Sequence, residues 1–282
     1  MIDALLDAII DSLKLLPFLF ITYLLMELLE NKAGEKSLHA IKKSGKFGPI
    51  LGAILGIIPQ CGFSAAAANL YAGRIITLGS LVAIFLSTSD EMLPILISEA
   101  APINLIIKIL LIKLIIGMLV GVIIDFIIRK KSTEKDEEKI HIHDICEDEH
   151  CHCEEDGILK SSIKHTLHIF VYILIIMLVI NMLITFIGEE NIAKFITAIP
   201  VLGPVVSTII GIIPNCASSI IITQLYLRNM ITFGSLIAGL LVNSGIGMLV
   251  LFKVNKSKKE NLKILAVLFV ISMVAGIIID II

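Results

Sequence analysis

Charge is scarce in this chain: Asp, Glu, Lys and Arg make up 17% of its 282 residues, against roughly a quarter in ordinary soluble domains. A basic head is also missing. Where a cleavable secretory signal would carry lysine or arginine, the N-terminus carries Asp3, Asp7 and Asp11, so no signal peptide is expected. Nothing matches a P-loop, which argues against direct ATP hydrolysis and leaves only a separate ATPase partner open. The five cysteines lack the spacing of a disulfide framework: Cys61 and Cys216 stand apart, while Cys146, Cys151 and Cys153 crowd one polar stretch. Serine, histidine and aspartate form no intramembrane catalytic set, because the histidines lie outside the apolar segments. No enzyme and no nucleic-acid partner is expected.

What is present is aliphatic surface. Hydrophobic residues make up 57% of the chain and the mean hydropathy is +0.97, more than a soluble fold could hide. Apolar runs such as 166–188 and 262–282 are long enough to cross a bilayer. The composition predicts an all-α polytopic membrane protein whose first partner is the lipid bilayer.

The chain is also written twice. Gly56-Ile57-Ile58-Pro59-Gln60-Cys61 recurs as Gly211-Ile212-Ile213-Pro214-Asn215-Cys216, an offset of 155 residues. The same register takes Leu70-Tyr71 to Leu225-Tyr226, Thr77-Leu78-Gly79-Ser80 to Thr232-Phe233-Gly234-Ser235, and Asp125 to Asp280. Each copy predicts a first spanning helix, two short apolar pieces around a Pro-x-Cys break, and two further spanning helices. In the first copy these are 4–29, 48–57 with 63–73, 76–98 and 103–128; in the second, 166–188, 203–213 with 217–228, 231–251 and 262–282. About ten helical residues rise about 15 Å, roughly half the hydrocarbon thickness. Each short pair therefore reads as a re-entrant hairpin, giving ten helical segments in all.

Lysine placement sets the topology. Basic residues fill the connections after the first helix (Lys32 to Lys46), at the chain centre (Arg129 to Lys139) and before the last helix (Lys253 to Lys263). The positive-inside rule puts these three in the cytoplasm and both termini outside. Each copy then crosses an odd number of times, so the repeats are inverted. Five thin crossings per copy would satisfy the same parity. The domain reading is a membrane repeat over 1–128, a cytoplasmic loop over 129–162 and an inverted repeat over 163–282, built as internally duplicated transporters are.

Three constellations carry candidate chemistry. The first is the pair of hairpin tips, Pro59, Gln60, Cys61 and Ser64 with Pro214, Asn215, Cys216, Ser218 and Ser219. Proline frees carbonyls from their helical partners, and free backbone at membrane depth is tolerated only inside protein or beside a polar cavity. The plainer reading is a pair of kinked helices; recurrence in both copies argues for a substrate site. The second is Ser87, Thr88, Ser89, Asp90 and Glu91, matched by Asn243 and Ser244 in the other copy. A carboxylate at helix centre costs on the order of 3 kcal/mol, so Asp90 or Glu91 is expected to bind a transported cation or a coupling proton. An interfacial position is the plainer reading. Asn69 and Gln224, paired across the copies, are supporting ligands. The third is the loop carrying His141, His143, Cys146, His150, Cys151, His152 and Cys153 among acids, a donor set for metal capture or sensing. Asp125 and Asp280 read as helix-terminal residues near opposite faces, and His165 and His168 as interfacial.

At these motifs the sequence resembles a family of ten-transmembrane heavy-metal exporters, with members labelled arsenic efflux protein or manganese transporter. The resemblance rests on Ile58 to Ser64, Leu86 to Ile95 and Ile213 to Ser219, and it extends over essentially the whole chain. It implies metal efflux across the cytoplasmic membrane. The combined expectation is a secondary transporter exporting a divalent cation, manganese leading, by alternating access at the hairpin tips. No resident cofactor is expected. Protons as coupling ion and a homo-oligomeric assembly are open. The paired cysteines favour softer metals, so arsenite or organoarsenical efflux is the alternative, followed by a metal-responsive channel or sensor.

Overall fold

The computed structural model describes residues 9–10, 12–13, 16–17, 19–25, 47–59, 61–89, 92–131, 158–188, 191 and 203–282. Among the described residues the chain is helical, with no strand. The first copy supplies α1 (Gly48–Gly56), α2 (Cys61–Ala72), α3 (Leu78–Ser87), α4 (Met92–Ser98) and α5 (Ile103–Lys131). The long helix α6 (Ile158–Ile187) leads into the second copy, α7 (Gly203–Gly211), α8 (Cys216–Leu227), α9 (Phe233–Val242), α10 (Gly247–Val254) and α11 (Lys258–Ile281).

The short apolar pairs fall where the proline motifs put them, as α1–α2 and α7–α8. The next segments differ from expectation. Both 76–98 and 231–251 were expected to be continuous helices, and both are interrupted. Helix α3 stops at Ser87 and α4 starts at Met92, while α9 stops at Val242 and α10 starts at Gly247. Hydropathy averaged over a spanning length does not register this, because long apolar stretches flank both short polar interruptions. Local polar competition explains it. Ser87 and Thr88 donate their hydroxyls back to Ala83 and Ile84 carbonyls at 2.8 and 2.7 Å, and Asn243 Oδ1 accepts from the Gly245 amide at 2.8 Å, where Gly245 has φ +56°.

Burial sorts the spans into two kinds. Counting each interrupted pair as one, the described residues hold five candidate membrane spans. The most apolar windows of α3–α4 and α9–α10 are 75% and 89% buried, against 22%, 18% and 22% for α5, α6 and α11. The interrupted spans therefore form the centre of the molecule. The continuous helices turn apolar stripes outward, such as Ile107, Leu111, Ile115 and Leu119 on α5, as lipid contact requires.

The same joint fixes an interrupted span in each copy. Thr77 and Thr232 cap α3 and α9, accepting from the Ser80 and Ser235 amides at 3.1 Å. Asp125 accepts from the Gly79 amide at 2.8 Å and from the Thr77 hydroxyl at 2.6 Å. Asp280 accepts from Gly234 at 2.7 Å and Thr232 at 2.6 Å. Such closeness needs glycine: a Cβ on Gly79 or Gly234 would lie 2.2 Å from the Gly121 or Gly276 carbonyl oxygen. Asp125 and Asp280 are thus the braces that hold the α3 and α9 N-termini, a role beyond the helix-terminal position expected of them.

Candidate substrate site

Within each copy the interrupted span meets the proline turn. Ser89 donates to the Ile57 carbonyl at 2.5 Å, just past the end of α1. In the second copy Asn243 donates to Ser218 Oγ at 3.0 Å. Ser218 in turn donates to the Asn215 and Ile213 carbonyls at 2.8 and 3.2 Å. Asn215 caps α8 through the Ala217 amide and donates to Asn181 Oδ1 on α6 at 2.5 Å. The first two constellations are therefore one structure in space.

Between the copies lies a small cavity lined by Thr88, Ser89, Met92, Lys113, Ser219, Leu240 and Asn243. Its free volume of about 10 Å³ is at the lower limit for one water. The hydroxyl hydrogens beside it are committed elsewhere: Thr88 donates to Ile84 O at 2.7 Å and Ser219 to Cys216 O at 2.8 Å. What these groups turn outward is oxygen lone pairs. The C-terminal ends of α3 and α9 add negative dipole ends and carbonyls with no onward helical partner. Lone pairs and carbonyl ends make this a place for positive charge.

A positive charge is already there. Lys113, on α5, is 1% exposed, and among its partners are the Thr88 carbonyl and the Leu240 carbonyl, the latter at 2.6 Å. The second copy has Leu268 at the equivalent position. The cost of charge at membrane depth that singles out Asp90 and Glu91 in the sequence applies equally to a lysine in the neighbouring segment. Lys113 sits ten residues into a 26-residue apolar run, where the same cost marks it out.

The remaining predicted residues are distributed as follows. Ser87 and Ser244 are buried beside the interruptions. Ser64 is buried at the start of α2, where its side chain and carbonyl abut Gly247 of α10. Cys216 is a buried free thiol next to the second turn, but it does not line the cavity. Pro59 is exposed and Pro214 half-buried. Asn69 belongs to a different cluster: it accepts from Tyr23 at 2.9 Å and donates to Ala65 O at 3.2 Å. Tyr23 stacks on His165 with ring centroids 5.4 Å apart. His165, expected at an interface, is buried here. Gln224 is half-buried and away from the cavity lining. Gln60, Asp90, Glu91, the Cys61 side chain and the loop set from His141 to Cys153 lie outside the described residues. Among the described residues, no three His, Cys, Asp or Glu side chains come together as a metal cluster.

Buried interrupted spans and outer helices with apolar faces turned outward define a multi-pass helical membrane protein. The chain matches the family described as "Putative, 10TM heavy-metal exporter" over residues 1–192 and again over 167–282, and it belongs to that family. No curated protein and no solved structure matches it.

Proposed function

We propose that this protein is a secondary transporter that exports a divalent heavy-metal cation, manganese leading, through the cavity between its two repeats. The observation that carries the proposal is the convergence of α3 and α9 C-terminal ends on a small cavity that has Thr88, Ser89, Ser219 and Asn243 in its lining. Hydroxyl, amide and carbonyl oxygens suit a harder cation such as manganese, and among the described residues no thiol lines the cavity. Asp90 and Glu91, beside Ser89 in sequence, would supply negative charge. The loop over 129–162 would capture metal on the cytoplasmic side.

Several contacts support an inverted arrangement of the two repeats, on which alternating access would turn. Arg74 lies three residues before Thr77, which is held by Asp125. Arg74 also makes two bonds to Glu260, at 3.2 and 3.3 Å. Glu260 and Asp280 sit at opposite ends of α11, about 30 Å apart at helical rise. The two aspartate braces thus favour opposite membrane faces, which is the parity that the lysine pattern requires. Re-entrance has similar support. Gly48, at the start of α1, packs on Ser80, and Arg74 follows the end of α2, so both ends of the first pair lie beside the α3 N-terminus.

The thiol beside the second turn favours one alternative, arsenite efflux. Uptake into inverted proteoliposomes, screened with Mn, Zn, Fe, Co, Cd and arsenite, separates the two. Manganese-selective uptake lost in Asp90→Asn/Glu91→Gln and only weakened in Cys61→Ser/Cys216→Ser is expected. Arsenite uptake lost in the cysteine pair and kept in the carboxylate pair would replace the proposal.

A further inference from the structure

We propose that the Lys113 ammonium is a tethered occupant of the cation site, holding it in the unloaded protein and withdrawing when the transported metal enters. This rests on the cavity being the metal site. Charge complementarity comes first. The Thr88 and Leu240 carbonyls stand at the C-terminal ends of two half-spans from different repeats, and both accept from one buried ammonium. Two negative dipole ends facing each other in a membrane interior repel unless a cation lies between them. In the unloaded protein, Lys113 is that cation.

Space decides the rest. Beside the ammonium there is room for about one water, near 10 Å³, too little for a hydrated ion. A divalent ion taking the same carbonyls would also stand next to a like charge. Metal and ammonium therefore compete for one place, and the flexible four-carbon stem lets the ammonium leave without breaking the fold. Leu268 at the equivalent position of the other repeat keeps the arrangement single: one tethered cation serves one site.

This gives Lys113 a task in the transport cycle. After release of metal, the ammonium re-enters and joins the ends of α3 and α9, so the unloaded carrier can change face with its dipoles neutralised. A carrier loaded with metal on both journeys does not need it. Loss of Lys113 should therefore uncouple net transport from exchange, and it should expose the bare site to metal.

The test compares wild type with Lys113→Met and Lys113→Arg, purified and reconstituted, with Mn2+ as probe. Equilibrium binding is measured in detergent, and net flux and Mn–Mn exchange in vesicles. If the ammonium holds the site at least nine-tenths of the time, Lys113→Met should bind Mn2+ about tenfold more tightly or better. Its net flux should fall about tenfold or more, and much further than its Mn–Mn exchange. Lys113→Arg should keep part of the net flux. Propylammonium should restore net flux to Lys113→Ala, a rescue that a space-filling role would not show. Loss of binding, or parallel loss of net flux and exchange, would overturn the proposal, as would an unchanged Lys113→Met. If wild type moves no Mn2+ in either mode, the export reading fails. The tethered-cation inference then survives only if Lys113→Met gains Mn2+ binding.

Discussion

The two repeats share a scaffold and differ in charge. Each sets an aspartate against a glycine amide and a threonine hydroxyl to hold an interrupted span, with distances agreeing within 0.1 Å. Each tucks a glycine of its long helix against that joint. Three other charged groups do not repeat. Lys113 answers to Leu268, Arg74 to Asn229, and Glu260 to Leu105. Arg74 and Asn229 even share a left-handed backbone, with φ +58° and +56°, so the turn is the same in both copies while only the first carries a cation there. The frame is common to both copies, and the charges Lys113, Arg74 and Glu260 are what set them apart.

Removing the shared braces should produce the larger stability effects, and not equally. Asp125 is buried whereas Asp280 is open to water. Asp125→Ala leaves the Gly79 amide and Thr77 hydroxyl without their acceptor, at an expected loss of about 2–4 kcal/mol. Water can replace the carboxylate in Asp280→Ala, so about half that loss is expected, read as the smaller fall in Tm in detergent. Equal losses would mean that the joints differ less in burial than their surroundings indicate. The unshared pair should matter least for stability. Arg74 and Glu260 are about one-quarter exposed, at 26% and 27%, and Arg74→Ala should cost below about 1 kcal/mol. A loss of several kcal/mol would show that this contact, together with Tyr71 and Asn255 on the same carboxylate, holds the repeats together on that face.

Much of this frame could be read from the sequence. The 155-residue offset predicted paired construction, and Pro59 and Pro214 located the turns between short helices. Ser87 to Ser89 and Asn243-Ser244 were picked out as polar, yet their effect on the backbone was hidden by the apolar residues around them. The centre was less legible, because it depends on separations a linear reading cannot see. Lys113 reaches Leu240 across 127 positions, and Tyr71 reaches Glu260 across 189. Asn69 shows the same limit: its repeat partner Gln224 makes it a ligand candidate in the sequence, and the hydrogen bond from Tyr23 to its side chain joins segments 46 positions apart. Repeat symmetry identifies the scaffold well, and it is a poor guide to chemistry that only one copy carries.

The most direct measurement is anomalous diffraction at the manganese edge from crystals of the full chain grown with Mn2+. A single peak among Thr88, Ser89, Ser219, Leu240 and Asn243, with the Lys113 ammonium displaced from the carbonyls, is the predicted result. A peak on the Cys216 thiol, or an undisturbed Lys113 with metal bound elsewhere in the membrane region, would contradict it.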